Sequence, residues 1–295
     1  MYPSEIEGYV APCTVQEATE AFAKWGEETH YIAGGQSLMQ AVKSRMIRPR
    51  CLVDLQKIVS IRGLHEDDSG RRIGAMTRYC DIASSRRLGG AFAALVDAAS
   101  HVGDRQVRHR GTIGGSLCWN YISACMPVTN LAIGSQMSLV SLSGATRELG
   151  VDAFLGAPME TSRDEGEILL SIKLPQPAGR AGSAYRKWSL LTDGLPMIGV
   201  AAFLVLDETD RCALARIAVT GLESGPTRVP AAERALLGLA GSDRAEIETL
   251  LKDSASSLQI HSDEAGDAEY RKVLFRQLSL EVVTMAFDRA LGGKE

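Results

Sequence analysis

The sequence has 295 residues, of which 45% are hydrophobic and 23% charged, and its formal net charge is −4. This composition is typical of a globular chain with a substantial core and does not favour a disordered protein. The 32 basic and 36 acidic side chains create no basic field that could hold nucleic acid. No apolar stretch approaches the roughly 18 residues of a spanning helix, and the first residues lack a secretory signal pattern. We therefore expect a cytoplasmic protein without a membrane span.

A capping box opens the first predicted helix, because Thr14 can cap the helix and Glu17 stands at the position that reaches back to it. Apolar residues at helical spacing follow. A short strand then leads into the sequence Ala-Gly-Gly-Gln-Ser-Leu at 33–38 and a basic, helix-compatible stretch that extends to Arg48. Further strands are predicted at 51–55, 72–75, 137–142 and 168–174, and further helices at 80–87 and 90–102.

A Pro/Gly-rich stretch at 175–182 marks a domain boundary, because these residues disfavour the interiors of helices and strands. Beyond it, two paired strands are predicted at 200–206 and 213–220, and helices at 230–239, 244–260 and 269–291. Strands cluster instead of alternating strictly with helices. This order favours an α+β fold over a doubly wound sheet.

The spacing of the cysteines and histidines argues against a metal centre. No two of the six cysteines form a C-x-x-C pair, and no two of the five histidines form an H-x-x-x-H pair. His101, Asp104 and His109 are the nearest candidates for acid–base chemistry, but structural hydrogen bonding is the more common role for such residues. We predict no metal site, no iron–sulfur cluster in this chain and no catalytic acid–base pair.

Two glycine pairs have similar surroundings. The first glycine segment comprises residues 33–38, and the second glycine segment, Gly-Thr-Ile-Gly-Gly-Ser-Leu, comprises residues 111–117. No two glycines are separated by a single residue, so the G-x-G-x-x-G dinucleotide motif is absent; Walker A and G-x-S-x-G motifs are also absent. Paired glycines expose backbone amides, which suits a pyrophosphate, although a tight turn explains either segment alone. Together the two segments favour a dinucleotide ligand.

These segments, with the strand at 51–55, the stretches 73–81, 110–117 and 167–175, and the region 185–202, resemble the FAD-binding medium subunit of molybdenum hydroxylases. This family includes carbon monoxide dehydrogenase flavoproteins and the FAD domain of xanthine dehydrogenase. The resemblance covers nearly the whole chain. It implies a vanillyl-alcohol-oxidase-type (PCMH-type) FAD fold with lobes at 1–56 and 57–176. It also implies a C-terminal domain at 177–295 that contains a three-stranded antiparallel sheet and helices.

The resemblance also implies which residues bind FAD. The first segment would hold the pyrophosphate. The second would form a loop near the diphosphate and ribityl chain, and Leu169 would pack against the cofactor. Lys187 would lie near the flavin ring and favour its reduced, anionic form, although a solvated surface lysine is the alternative. The full set of expected cofactor-binding residues is Ile32, Ala33, Gly34, Gly35, Gln36, Ser37, Leu38, Gly111, Thr112, Ile113, Gly114, Gly115, Ser116, Asn120, Leu169, Lys187 and Asp193.

The sequence departs from the family pattern at two places. Many relatives have acidic residues at the positions of Tyr121 and Cys125, where an aspartate often accepts hydrogen bonds from the cofactor. A replacement contact from Asn120, Ser123 or the main chain is expected. Some relatives also place a tyrosine over the flavin near Asp193, where this chain has glycine and leucine.

The resemblance implies an oxidoreductase subunit that transfers electrons without binding the organic substrate. A large partner subunit would carry the molybdenum cofactor and a small one two [2Fe-2S] clusters, in a dimer of heterotrimers. This chain would pass electrons through FAD to an external acceptor. Two alternatives remain open: a self-sufficient FAD oxidase or reductase, and a non-catalytic subunit whose glycine turns are structural.

Overall fold

The computed structural model describes residues 6–67 and 70–293. The predicted outer domains begin at residue 1 and end at residue 295, so their extreme ends lie outside the described residues. Within the described ranges, no helix is both long and apolar enough to cross a bilayer.

The N-terminal lobe is a small parallel sheet. Its strands are β1 (Gly8–Val10), β2 (Thr29–Ile32) and β3 (Cys51–Asp54), in the order β1–β3–β2. The central strand β3 is buried along its whole length, as its apolar run predicts. Helix α1 (Val15–Trp25) begins with the predicted capping box. Helix α2 (Leu38–Lys43) ends before the predicted Arg48, because the backbone turns left-handed at Arg45.

The middle domain is built on an antiparallel sheet of five strands. These are β4 (Leu64–Asp67), β5 (Gly70–Gly74), β6 (Gln136–Val140), β7 (Thr146–Gly150) and β8 (Ile168–Lys173), in the order β4–β5–β8–β6–β7. Its helices are α3 (Tyr79–Ala83), α4 (Ala93–Ser100), α5 (Arg105–Arg108), α6 (Ile113–Trp119), α7 (Cys125–Ile133) and α8 (Val151–Phe154). Every residue of α7 is buried, so this helix runs through the domain core.

The C-terminal domain contains an antiparallel sheet and three helices. Its strands are β9 (Arg180–Trp188), β10 (Ile198–Leu206), β11 (Cys212–Thr220) and β12 (Thr227–Arg228), in the order β12–β11–β10–β9. Its helices are α9 (Pro230–Ala235), α10 (Arg244–Ser254) and α11 (Ala268–Ala290). The three predicted strands of this sheet are present. A fourth, the two-residue strand β12, pairs with β11 and was not predicted.

Strand β10 shows why the domains pack as one body. All nine of its residues are buried, and they face two different cores in alternation. Val200, Ala202 and Leu204 pack in the C-terminal core. Ala201 and Phe203 pack in the core of the middle domain. The sheet is therefore covered on one face by its own helices and on the other by the middle domain.

Polar contacts fix the edge strand β9 against α4. The Ser183 hydroxyl accepts a hydrogen bond from the Ala94 amide in the first turn of α4, at 3.0 Å. One carboxylate oxygen of Asp97 accepts from the Tyr185 amide at 3.0 Å and from Arg289 at 2.7 Å. These contacts hold the C-terminal domain to the middle domain at one edge.

Candidate functional site

The first glycine segment leaves β2 at the carboxyl end of the parallel sheet, where ligands of α/β sheets commonly bind. Gly35 has φ +73°, a left-handed conformation that favours glycine. Within the described chain, the amides of Gly35, Gln36 and Ser37 donate to no protein acceptor. The side chains of Gln36 and Ser37 are exposed. Three successive amides and two polar side chains are therefore available to an anionic group.

The second glycine segment differs from the predicted loop. It forms the start of α6, in which Thr112 is the N-cap and its hydroxyl accepts from the Gly115 amide at 3.1 Å. The amides of Ile113 and Gly114 donate to the carbonyls of Thr77 and Ala75. The prediction that this segment is a loop is therefore wrong, because the Thr112 hydroxyl and the carbonyls of Ala75 and Thr77 accept from three of its amides at the start of a helix.

The small residues of the two segments allow their backbones to touch. A Cβ atom on Gly34 would lie 2.1 Å from the carbonyl oxygen of Arg110, and one on Gly115 would lie 3.4 Å from the methyl group of Ala33. On Gly111, a Cβ would lie 2.5 Å from the ring of Tyr79. The structure therefore brings both segments together, as a dinucleotide site requires, and the first segment supplies three successive amides without a protein acceptor.

Several predicted cofactor-binding residues are buried in the protein core. Ile32, Thr112, Ile113 and Leu169 are each less than a tenth exposed. Leu169 pairs with Leu139 across β8 and β6, in the core of the middle domain. Leu38 and Ser116, within the two glycine segments, are half-buried.

Asn120 has a structural role. Its backbone is left-handed, its side chain is fully buried, and its amide nitrogen donates to the carbonyls of Gly156, Ala157 and Glu160. The side chain thus stabilises the turn at 156–160, between α8 and β8. The Asn120 side-chain oxygen has no hydrogen-bond partner among the described residues, so the expectation that Asn120 replaces a contact that accepts from the cofactor stays a prediction.

Lys187 is not the solvated surface lysine of the alternative interpretation. It is half-buried near the end of β9, and its ammonium group donates to the Gly194 carbonyl at 2.6 Å. Burial lowers the pKa of Lys187, and nearby Asp193 opposes this shift. Asp193 is exposed in the loop between β9 and β10. Among the described residues, no hydrogen bond joins Lys187 to the glycine segments.

A cavity of about 260 Å³ lies beside this loop. Its lining includes Leu191, Gly194 and Met197 from the loop and the start of β10, Ile122 from the middle domain, and Arg271 from α11. Leu191 is also 73% exposed, so part of this lining is an apolar surface open to solvent.

The predicted site residues did not include Cys125 and Tyr185. Cys125 begins α7 and Tyr185 precedes Lys187 by two residues, and both are buried in the same core. The Tyr185 hydroxyl has no hydrogen-bond partner among the described residues, and burial raises the pKa of both the phenol and the Cys125 thiol. The alternation of β9 could have placed Tyr185 on the same face as Lys187, but the sequence holds no signal for its long-range proximity to Cys125.

The candidate acid–base residues have structural roles. Asp104 caps α5 by accepting from the Val107 amide at 2.8 Å. A ring nitrogen of His101 lies 2.7 Å from the carbonyl oxygen of Asp97, one turn earlier in α4. Among the described residues, no group of three or more His, Cys, Asp or Glu side chains could hold a metal ion.

Two family models match the chain. The model described as the FAD binding domain in molybdopterin dehydrogenase matches residues 4–177. The model described as the CO dehydrogenase flavoprotein C-terminal domain matches residues 178–286. Together they cover nearly the whole sequence, and they meet within the Pro/Gly-rich stretch.

Similar proteins match along nearly their full lengths. The 6-hydroxypseudooxynicotine dehydrogenase complex subunit alpha of Paenarthrobacter nicotinovorans is 30% identical over 97% of this chain and 96% of its own. The carbon monoxide dehydrogenase medium chain of Hydrogenophaga pseudoflava is 29% identical over 98% of this chain and 99% of its own. A solved chain of carbon monoxide dehydrogenase from that organism superposes with a TM-score of 0.89 at 31% identity, covering 98% of this chain and 99% of that one. A chain of quinoline 2-oxidoreductase from Pseudomonas putida 86 superposes with a TM-score of 0.88 at 26% identity, covering 99% of this chain and 100% of that one.

Proposed function

Because this chain belongs to the family of FAD-binding medium subunits of molybdenum hydroxylases, we propose that it relays electrons within such an enzyme. Electrons would arrive from [2Fe-2S] clusters in a small partner subunit and leave through FAD to an external acceptor. Membership confirms the predicted family, the PCMH-type fold, the oxidoreductase class and FAD as cofactor. The electron route and the partners are the proposal.

The observation that carries the proposal is the free backbone of the first glycine segment beside the second. Gly35, Gln36 and Ser37 would bind the diphosphate of FAD through their amides, since these amides have no acceptor in the described chain. Ala33 and Gly115 would let the cofactor approach the backbone closely, because neither carries a side chain larger than a methyl group. The residues present therefore fit FAD.

Lys187 would act at the flavin ring. When bound, FAD supplies the redox chemistry, because it can take up electrons singly and release them in pairs. The Lys187 ammonium would stabilise negative charge on the reduced ring, since it is half-buried and thus weakly screened by solvent. Asp193 lies in the adjoining exposed loop and would face the entrance for the acceptor.

The other cofactors would belong to partner subunits. The six cysteines contain no C-x-x-C pair, so the sequence lacks the usual close ligand pairs of an iron–sulfur cluster. The relatives from Hydrogenophaga and Paenarthrobacter are named as a medium chain and as a subunit of a complex. We place this chain beside a large molybdenum-cofactor subunit and a small [2Fe-2S] subunit, in a dimer of heterotrimers (a heterohexamer).

Purification of the chain alone, and then with its candidate partner subunits, tests the proposal. We expect a yellow protein that releases about one FAD per chain and oxidises organic substrates only when both partners are present. A colourless protein that does not take up added FAD would contradict the flavin site. Substrate oxidation by the isolated chain would instead indicate a self-sufficient flavin oxidase or reductase.

A further inference from the structure

The cavity beside the β9–β10 loop is formed by three parts of the chain that are distant in sequence. Two lining loops, at 189–196 and 261–266, come from the C-terminal domain. Ile122 and Ser123 come from the middle domain, and Arg271 comes from the first turn of α11. The cavity therefore lies where the two domains meet, a common position for ligand sites.

Arg271 holds the walls of this cavity in place. It is only 3% exposed. Its guanidinium donates to the Met197 carbonyl at 2.9 Å, to the Gly221 carbonyl at 3.2 Å and to the Asp263 carboxylate at 2.5 Å. The Gly221 amide in turn donates to the Ile122 carbonyl at 2.9 Å. Hydrogen bonds thus fix the cavity before any ligand arrives, as is usual for small-molecule sites.

Two polar groups of the lining residues have donors that the protein does not use. The Nε atom of Arg271 is buried and has no hydrogen-bond partner among the described residues. The hydroxyl of Ser123, which is half-buried, also has no partner within the described chain. An N–H and an O–H group without acceptors suit a ligand that carries carbonyl oxygens.

The chain beside the cavity exposes an unusual concentration of apolar surface. Four large apolar side chains within 188–195 are between 47% and 73% exposed: Trp188, Leu190, Leu191 and Leu195. The three leucines among them are part of the loop at 189–196. A contiguous exposed apolar patch marks a binding surface. A ligand with an apolar body would cover this patch and place its polar atoms in the cavity.

The charges of the two lining loops disfavour an anionic ligand. Their exposed charged side chains are all acidic, namely Asp193, Asp263 and Glu264. Asp263 also forms an ion pair with Arg271, so the buried cation is compensated. A nicotinamide dinucleotide carries two negatively charged phosphate groups, which these carboxylates would repel. A quinone is uncharged, apolar and equipped with two carbonyl oxygens.

We propose that this cavity binds a quinone with an isoprenoid tail, and that the quinone is the external electron acceptor. The inference rests on the proposed function, because it requires a reduced flavin near Lys187. The Lys187 ammonium donates to the carbonyl of Gly194 at 2.6 Å, and Gly194 lines the cavity, so the two sites adjoin. The quinone would take two electrons and two protons from the fully reduced flavin and become the quinol, while the flavin returns to its oxidised form.

Equilibrium dialysis of the FAD-loaded chain against a ubiquinone with one isoprenoid unit tests this inference. We expect saturable binding of this quinone and none of NAD⁺. Leu191→Asp places a charge in the apolar lining and should weaken quinone binding about tenfold. Leu237→Asp is the matched control, because Leu237 is 50% exposed and lies outside the cavity. Equal dissociation constants in the two variants, or binding of NAD⁺ in place of the quinone, would overturn the inference.

Ser123→Ala tests whether the cavity recognises the carbonyl groups. The variant should bind menadione about fivefold more weakly than wild type, because one hydrogen bond is lost. It should bind methylnaphthalene, which has no carbonyl group, as tightly as wild type does. An equal effect on both probes would overturn the assignment of a quinone.

The FAD content of each variant separates the two levels of the account. A FAD-loaded chain that does not bind the ubiquinone probe would overturn this inference and leave the flavin site intact. A wild-type chain that cannot bind FAD would overturn the proposed function itself.

Discussion

Arg289, near the end of the last helix, forms a bidentate ion pair with Asp97 of α4, at 2.7 and 3.1 Å. Each side chain is only 12% exposed, so the pair is largely shielded from solvent. Asp97 also accepts from the Tyr185 amide, two residues before Lys187. One carboxylate therefore connects the middle domain, the last helix and the strand that carries Lys187.

We expect Asp97→Ala to lower the free energy of unfolding by about 3 kcal/mol, because it removes the shielded carboxylate that two Arg289 nitrogens and the Tyr185 amide contact. Urea denaturation measures this change. Glu7→Ala is the control, since it breaks an ion pair with Arg50 in which both side chains are about half exposed, and it should have little effect. Wild-type stability in Asp97→Ala would show that the pair does not hold the domains together.

We expect Gly34→Ala to reduce both stability and FAD occupancy. The added Cβ would lie 2.1 Å from the Arg110 carbonyl oxygen, so the two glycine segments must move apart. Overpacking of this kind costs about 1–3 kcal/mol. Thermal unfolding and the ratio of FAD to protein measure the two effects. Gly89→Ala is the control, because a Cβ there meets nothing within 4 Å; equal FAD content in both variants would contradict the close contact.

Thr112→Val should destabilise the protein by about 1 kcal/mol, because it removes the N-cap of α6 while keeping the size of the side chain. The Thr112 hydroxyl accepts from the Gly115 amide at 3.1 Å. Thr112→Ser restores the hydroxyl and should recover most of the loss. Denaturant unfolding of both variants provides the comparison, and equal stabilities would show that the cap contributes nothing.

Glu167 should make stability depend on pH. Burial raises the pKa of this carboxyl, but hydrogen bonds from Arg147 and the Asp164 amide lower it by a larger amount. The pKa of Glu167 therefore lies below the usual 4.5. At pH values between the lowered pKa of the folded chain and the usual pKa of the unfolded chain, the unfolded chain binds more protons than the folded chain. The free energy of unfolding therefore falls as the pH decreases through this window.

Glu167→Gln should be less stable than wild type at neutral pH, and the difference should shrink as the pH falls below 4.5. Urea denaturation across this range measures the difference. Glu148→Gln is the control, because this carboxylate is half exposed and lies 4.0 Å from its nearest cation. A constant gap between Glu167→Gln and wild type at all pH values would contradict the assigned role.

Much of the fold could be predicted from local sequence. The Thr14–Glu17 capping box and the buried run of β3 occur where the sequence predicts them, because they depend on neighbouring residues. The two-residue strand β12 was missed, since a strand this short has no periodicity. Helix α2 is shorter than predicted because the left-handed turn at Arg45 has no local signal.

The site was harder to predict than the fold. The glycine pairs predicted two segments that the structure brings into contact, but Thr112 makes the second segment the capped start of a helix and not a loop. Asn120 has the side chain of a ligand-binding residue, yet it pins the turn at Gly156. The burial of Cys125 and Tyr185 in one core depends on the packing of distant elements, which no local pattern reveals.

The most direct measurement is an experimental structure of the chain with FAD bound. We predict that the diphosphate oxygens lie within about 3.2 Å of the amide nitrogens of Gly35, Gln36 and Ser37. The flavin ring should lie toward Lys187. FAD bound elsewhere, or with its diphosphate out of reach of these three amides, would contradict the proposed site.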